Sequence, residues 1–176
     1  MNDDTSNPSV IQISLTRGFI ATVSPIDADL LEFKWLSTSD KYAMRFVRTR
    51  PNQTKQKHII MHRVILERMM GRTLSKDEIV DHINGDKLDN TRENLRLANK
   101  SQNNSNRGKS NNNTSGYKGV YWHKAGQKWG ASIGVNNKNK HLGLFESIEK
   151  AVHAYNEAAI KYHGEFAQLN EIEEKR

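Results

Sequence analysis

Four side chains in one stretch have the types and spacing to do chemistry. Asp81 and His82 are adjacent, Asn94 lies twelve residues beyond His82, and Asn103 nine beyond that. Hydrolysis of a phosphodiester requires a base to take a proton from water. It also requires positive charge to meet the charge that develops on the phosphate and on the leaving oxygen. A histidine titrates near neutrality and suits the first task. A hard cation such as Mg²⁺, held by oxygen ligands, suits the second. Asp81 offers a carboxylate oxygen and Asn103 an amide oxygen, while an amide at Asn94 could orient the His82 ring. Two other readings compete. In one, Asp81 caps a turn and His82 is a surface residue. In the other, Asp81, Asn84, Asp86 and Asp89 form a calcium loop, but Gly85 then stands where the EF-hand pattern needs an oxygen ligand.

Adjacent residues on a regular strand point to opposite faces, so Asp81 and His82 can share a site only if the chain bends there. The Asn84-Gly85 turn signal is the expected cause of that bend.

Charge suggests what the site acts on. The 176 residues carry a formal net charge of +7. No Asp or Glu occurs between Asn94 and Phe145, a stretch that holds Arg96, Lys100, Arg107, Lys109, Lys118, Lys124, Lys128, Lys138 and Lys140. Lys and Arg that displace condensed counterions supply most non-specific affinity for nucleic acid, so a polyanion is the expected partner. Cysteine is absent, which excludes disulfides and cysteine-based zinc sites. The first nine residues are polar and acidic, unlike a signal peptide, and no apolar run approaches the ~20 residues that span a bilayer. The expectation is a soluble, cytoplasmic protein of a bacterial or phage-infected cell that acts as a monomer, with no membrane and no small-molecule cofactor.

Hydrophobic content is 35%, below the usual ~45–50%, so small cores are expected. Residues 1–9 read as disordered. Residues 10–15 and 19–23 read as a hairpin. Ser24-Pro25 opens a short helix that should bury Ile26, Leu30 and Leu31. Strands follow at 41–48 and 58–61 around a basic loop at 50–57, then a helix at 62–70 stopped by Gly71. A lone His62 at that junction reads as a structural residue. Residues 79–83 form a strand ending in the Asp-His pair, 95–97 a second, and 99–106 a helix despite its asparagines. The polar stretch 107–115 has the composition of a linker. Beyond it, three short strands over 117–123, 128–135 and 140–145 precede a helix from Ser147 to His163, with Phe166 and Leu169 closing the core. Residues 171–176 read as a frayed tail.

Val80-Asp81-His82-Ile83-Asn84-Gly85-Asp86, Leu88-Asp89-Asn90, Glu93-Asn94-Leu95-Arg96 and Gln102-Asn103 resemble the HNH homing endonucleases of phages and bacteria. Leu15-Thr16-Arg17-Gly18, Trp35, Tyr42-Ala43 and Met61-His62-Arg63 extend the likeness upstream. Ser115-Gly116-Tyr117-Lys118-Gly119-Val120, Lys128-Trp129, Leu142-Gly143-Leu144-Phe145, Ala154-Tyr155-Asn156, Ala158-Ala159 and Gly164 resemble the plant ethylene-response-factor (AP-two) DNA-binding domain. The resemblance implies an α+β protein. A His-Me finger (ββα-metal) nuclease module occupies 10–106, a basic linker 107–115, and a three-stranded antiparallel sheet with one helix 116–170. It implies DNA cleavage with Mg²⁺ or Mn²⁺, with His82 as general base, Asn94 supporting it, and Asp81 and Asn103 as metal ligands. The last position is often His in the family, so the amide of Asn103 implies a loose metal dependence. Where plant domains place arginines, this chain has Lys118 and Tyr121, and Ser132 and Gly134 replace a charged pair. Lysine lacks the fork that reads guanine, so no plant target sequence transfers. Double-stranded DNA is the implied partner, with Arg96, Lys100, Arg107, Lys109, Lys118, Tyr121, Lys128, Trp129 and Lys140 as candidate contacts. A non-catalytic DNA-binding regulator is the main rival, and a structural or RNA-binding protein ranks below it.

Overall fold

The computed structural model describes residues 10–48 and 56–172. The expected disordered start, most of the loop at 50–57 and the end of the tail lie outside these residues. Contacts divide the chain into two compact units, residues 1–98 and 99–176. The division falls inside the expected nuclease module, not at the polar stretch 107–115. Both units mix small sheets with few helices, and no described helix is long and apolar enough to cross a membrane.

In the first unit, β1 (Ile11–Ser14) and β2 (Ile20–Val23) form the antiparallel hairpin that the alternation predicts. Arg17 and Gly18 turn it with φ of 64° and 74°. A 3₁₀ segment, Pro25–Glu32, follows. It buries Asp27 and Leu30 but leaves Ile26 70% and Leu31 51% exposed, against expectation. A 3₁₀ turn has three residues, so positions 27 and 30 share one side, whereas the expected set assumed an α-helical period. The Ser24 hydroxyl does not cap the segment; it accepts from the Arg92 N–H at 2.8 Å.

Next come β3 (Leu36–Ser37), β4 (Ala43–Arg48) and β5 (Gln56–Ile60), an antiparallel sheet that runs into α1 (Met61–Met70). Gly71 ends α1 in the left-handed conformation, φ 63°. The strand β6 (Ile79–His82) then leads to β7 (Asp89–Asn90), which pairs in parallel with β2, and to β8 (Leu95–Ala98), which pairs antiparallel with β6. The core beneath is Ile13, Val23, Leu30, Trp35, Met61 and Ile65. Each is nearly fully buried and contributes on the order of 2 kcal/mol. Trp35 satisfies its buried indole N–H on the Leu30 carbonyl at 2.8 Å.

One buried carboxylate ties distant segments to this core. Asp27 is 0% exposed. It accepts from Arg92 Nε at 2.7 Å, from Arg92 Nη2 at 3.0 Å and from Arg68 Nη1 at 3.0 Å. Burial alone would raise its pKa; the two guanidiniums outweigh that and leave it lowered.

The second unit begins with α2 (Lys100–Asn106). Its asparagines are poor helix formers, and a capping box compensates. Asn99 Oδ1 accepts from Gln102 N at 2.9 Å and Gln102 Oε1 accepts from Asn99 N at 2.8 Å. The polar stretch after it is knit by short side chains, not left as open tether. Ser115 Oγ donates to the Val120 carbonyl at 2.7 Å, and Asn113 Nδ2 donates to the Tyr117 carbonyl at 2.7 Å. Then β9 (Val120–His123), β10 (Lys128–Val135) and β11 (Lys138–Phe145) form an antiparallel sheet with β10 in the middle. The helix α3 (Ile148–His163), capped by the Ser147 hydroxyl, covers one face with Ala151, Val152, Tyr155 and Ala159. A Cβ on Gly119 would lie 2.2 Å from the Tyr155 ring and 2.6 Å from the Ser132 carbonyl, so only glycine fits. Phe166 closes the core at 5% exposed, but Leu169 is 43% exposed. The chain there is held by polar groups instead. Asn156 exchanges two hydrogen bonds with the Asn170 backbone, both 2.9 Å, and the Asn170 side chain bridges the N–H and C=O of Lys118.

Candidate active site

The strand pairing of β6 with β8 continues through both Asp81 and His82, opposite Arg96 and Leu95. The expected bend between the two does not occur. The turn comes after them, where Gly85 takes φ 76° and donates to the His82 carbonyl at 2.9 Å. Both side chains are nonetheless buried, Asp81 4% and His82 5% exposed, and they meet different neighbours.

Asp81 Oδ2 accepts from Arg96 Nε at 2.8 Å. The Arg96 side chain is itself only 13% exposed. Arg96, expected on the DNA surface, therefore holds the Asp81 carboxylate across the hairpin, because the strand register sets the two directly opposite.

His82 lies among rings. The His62 ring is 5.1 Å away and edge-on, and the Tyr42 ring 6.1 Å away. Tyr42 and His62 are themselves 5.0 Å apart. Burial pulls the His82 pKa below its usual value, and it prevails over a hydrogen bond with Asn90 and the charges of Asp81, Asp86 and Asp89, which raise it. His62 is pushed down to about 3, by burial first and then by His82 and Arg63. It is a neutral neighbour of His82, placed by the β5–α1 junction. The spacing alone did not reveal this pairing, since His62 is twenty residues upstream on another element.

Asn94 is 7% exposed and does not reach the ring through any described hydrogen bond. Its Oδ1 accepts from Asn84 N at 3.0 Å and its Nδ2 donates to the Asp89 carbonyl at 2.7 Å, so one amide pins both ends of the loop after His82. The loop's own carboxylates are occupied locally. Asp86 Oδ1 accepts from Leu88 N, and Asp89 accepts from Thr91 and from Asn84 Nδ2. The calcium-loop reading needs these oxygens turned inward on a cation, and they cap turns instead.

Among the described residues, no group of three or more His, Asp or Glu gathers at a point. The donor set fits a hard cation in the sparse manner of Mg²⁺, which is bound through one or two carboxylates and completes its shell with water and substrate phosphate. Asp81 is the buried carboxylate within the family-matched stretch that could serve in this way. Asn103 belongs to the second unit, half-buried on α2, where its N–H donates to the Asn99 carbonyl at 2.9 Å.

The expected DNA contacts divide into three groups. Lys100, Arg107 and Lys109 are exposed, with Lys109 Nζ on the Gly116 carbonyl. On the sheet, Tyr121 and Lys128 lie on the face opposite α3; the Tyr121 ring covers Gly130 and its hydroxyl is 3.2 Å from His141 Nδ1. Lys128 pairs with Glu146 at 2.9 Å. The remaining three turn elsewhere. Trp129 packs on the α3 side of the sheet, edge-on to Trp122. Lys140 donates to Tyr162 Oη on α3 at 2.6 Å. Lys118 points to the Ser105 carbonyl. Two of these follow from strand parity, since residues 129 and 140 alternate with those on the open face, while Lys118 lies in the turn before β9.

Comparison with known proteins supports a nuclease. Residues 60–105 match the HNH endonuclease family, a stretch containing Asp81, His82, Asn94 and Asn103. The chain is 30% identical over 96 residues to Protein 3.8 of Escherichia phage T7, covering 54% of this chain and 78% of that one. It is 35% identical over 114 residues to the Uncharacterized HNH endonuclease L560 of Acanthamoeba polyphaga mimivirus, covering 64% of this chain and 58% of that one. No solved structure matches it significantly. The strand–loop–strand that buries an Asp-His pair lies within the matched stretch, and with the likeness to a viral HNH endonuclease this leads to one assignment: residues 60–105 of this chain are an HNH endonuclease domain.

Proposed function

We propose that the protein is a site-selective, homing-type endonuclease that hydrolyses phosphodiester bonds in double-stranded DNA. The observation that carries this reading is His82. It is a buried imidazole at the end of β6, kept mostly neutral by burial and backed by His62 and Tyr42, inside the family-matched stretch. His82 takes the proton of the attacking water at a ring nitrogen. Asp81, its carboxylate angle fixed by Arg96, would be the ligand that the first unit offers to Mg²⁺ or Mn²⁺. A divalent cation held there would supply positive charge to the phosphate and the leaving oxygen. Asn94 keeps the loop after His82 in place so that the ring keeps its setting.

The second unit serves as an AP-two-like DNA-binding module, with Tyr121 and Lys128 on the open sheet face. Lys100, Arg107 and Lys109 meet the phosphate backbone, and tethering to the nuclease raises the local DNA concentration. The protein works as a monomer in the cytoplasm of an infected cell.

One observation favours a second reading. The buried Asp81–Arg96 pair gives the carboxylate a structural partner within the protein, as in a non-catalytic DNA-binding regulator built on a degenerate nuclease core. A supercoiled plasmid carrying DNA from around the gene separates the two. With Mg²⁺ the wild type nicks or linearises it, EDTA stops cleavage but not binding, and His82→Ala binds without cutting. Wild type that binds and never cuts, with Mg²⁺ or Mn²⁺, establishes the regulator.

A further inference from the structure

The second unit contains a cavity of about 360 Å³ that none of the chemistry above uses. It opens where β9 has ended and β10 runs on, beside α2 and the C-terminal end of α3. Its walls include Ser105, Lys118, Asn139, Tyr155 and His163, and no Asp or Glu. Cations normally enter such half-buried places with a carboxylate partner, since desolvating an unpaired charge is costly. Here the Lys118 ammonium meets only a neutral group among the described residues, the Ser105 carbonyl at 2.5 Å.

The other walls point the same way. His163 Nδ1 is 3.1 Å from the Ser105 hydroxyl, so the hydroxyl links the ring to the lysine's anchor. Tyr155 is 2% exposed, and its hydroxyl has no hydrogen-bond partner among the described residues. Burial draws the Lys118 pKa down to about 8. Burial and the charge of Lys118 lower that of His163. An ammonium and an imidazole are thus held together, with a hydroxyl beside them and no anion from the protein.

We infer that this cavity is a phosphate-binding pocket, in which Lys118 and His163 clamp one phosphate group and Tyr155 donates to its oxygens. The missing negative charge is the ligand's. A dianionic or diester phosphate supplies acceptor oxygens for every one of these donors, and charge-assisted hydrogen bonds of this kind are the strong ones. The volume admits one phosphate with part of what it is attached to. That phosphate belongs to a nucleic-acid backbone or to a free nucleotide or inorganic phosphate. This inference does not depend on cleavage at His82.

The test is titration of the full-length protein with sodium phosphate, following the His163 ring signals by NMR. A saturable shift is expected. Lys118→Gln should weaken it about tenfold, the loss expected for one charge-assisted contact. His163→Gln, read by calorimetry, should weaken binding similarly. Lys124→Gln, an exposed lysine away from the cavity, should leave it unchanged. Thermal melts of each variant establish that the unit is folded. Competition then identifies the source: short duplex DNA displacing phosphate points to a backbone contact, and a mononucleotide displacing it where duplex does not points to a free ligand. No saturable shift in the wild type, or equal binding by folded Lys118→Gln, overturns the pocket.

Discussion

Asn94→Ala separates two roles for this residue. If Asn94 is a clamp, its removal breaks the bond from Asn84 N at 3.0 Å and the bond to the Asp89 carbonyl at 2.7 Å. Both are partly buried, and a net hydrogen bond contributes about 1 kcal/mol, more when a buried group is left unsatisfied. The expected loss is about 2–3 kcal/mol in the first unit. Urea unfolding measures it in a Trp122→Phe, Trp129→Phe background, where buried Trp35 is the sole remaining indole. Hydrogen exchange at the Asn84 amide should quicken by at least the corresponding factor, roughly tenfold per 1.4 kcal/mol. Cleavage should fall because the loop loosens, and it should recover in part on cooling or in stabilising osmolyte. A variant as stable as wild type, within about 0.5 kcal/mol, but inactive would refute the clamp and restore direct action on the ring.

Acid should weaken the first unit in two stages. The folded pKa of His62, about 3, lies below its unfolded value near 6.5. Its contribution is therefore complete above pH ~6.5 and is lost as pH falls toward 3. Asp27, also lowered, adds a second loss as pH falls through its own folded value. His62→Phe should shrink the first stage, leaving the part due to His82, and Asp27→Asn should shrink the second, in urea midpoints taken against pH. Arg96→Met should lower cleavage while leaving duplex affinity and its salt slope near wild type, since Arg96 is engaged with Asp81. Arg107→Ala should reduce that slope by about one, as electrophoretic binding titrations at several salt concentrations will register. Gly119→Ala should unfold the second unit at ordinary temperature, because its Cβ meets the Tyr155 ring at 2.2 Å where φ is +74°; circular dichroism reads this directly.

The hairpin, the strand ending in Asp-His and the covering helix of the second unit were legible because each rests on local pattern. Alternation marks β1 and β2, turn chemistry marks Asn84-Gly85, and the period of α3 marks Tyr155 and its neighbours. What local pattern could not carry is long-range pairing. Nothing near Asp27 in sequence announces Arg68 or Arg92, so its full burial could not be read from local pattern. His62 read as isolated for the same reason, and Arg96 as a DNA contact because its partner Asp81 sits on another strand. The lysines of the sheet were assigned by charge, and strand parity sent Lys140 to the helix side.

The bonds made by Asp27 and β2 bear on how this protein can be cut or shuffled. The family match covers residues 60–105, yet Arg92 in that stretch is anchored to Asp27, and Asp89 and Asn90 pair with Thr22 and Val23. A fragment trimmed to the matched residues would leave Arg92 without its buried carboxylate and β7 without its neighbour. The chemistry is written in a short stretch, but the piece that can travel intact between genes, or be fused to another DNA reader, begins no later than β1.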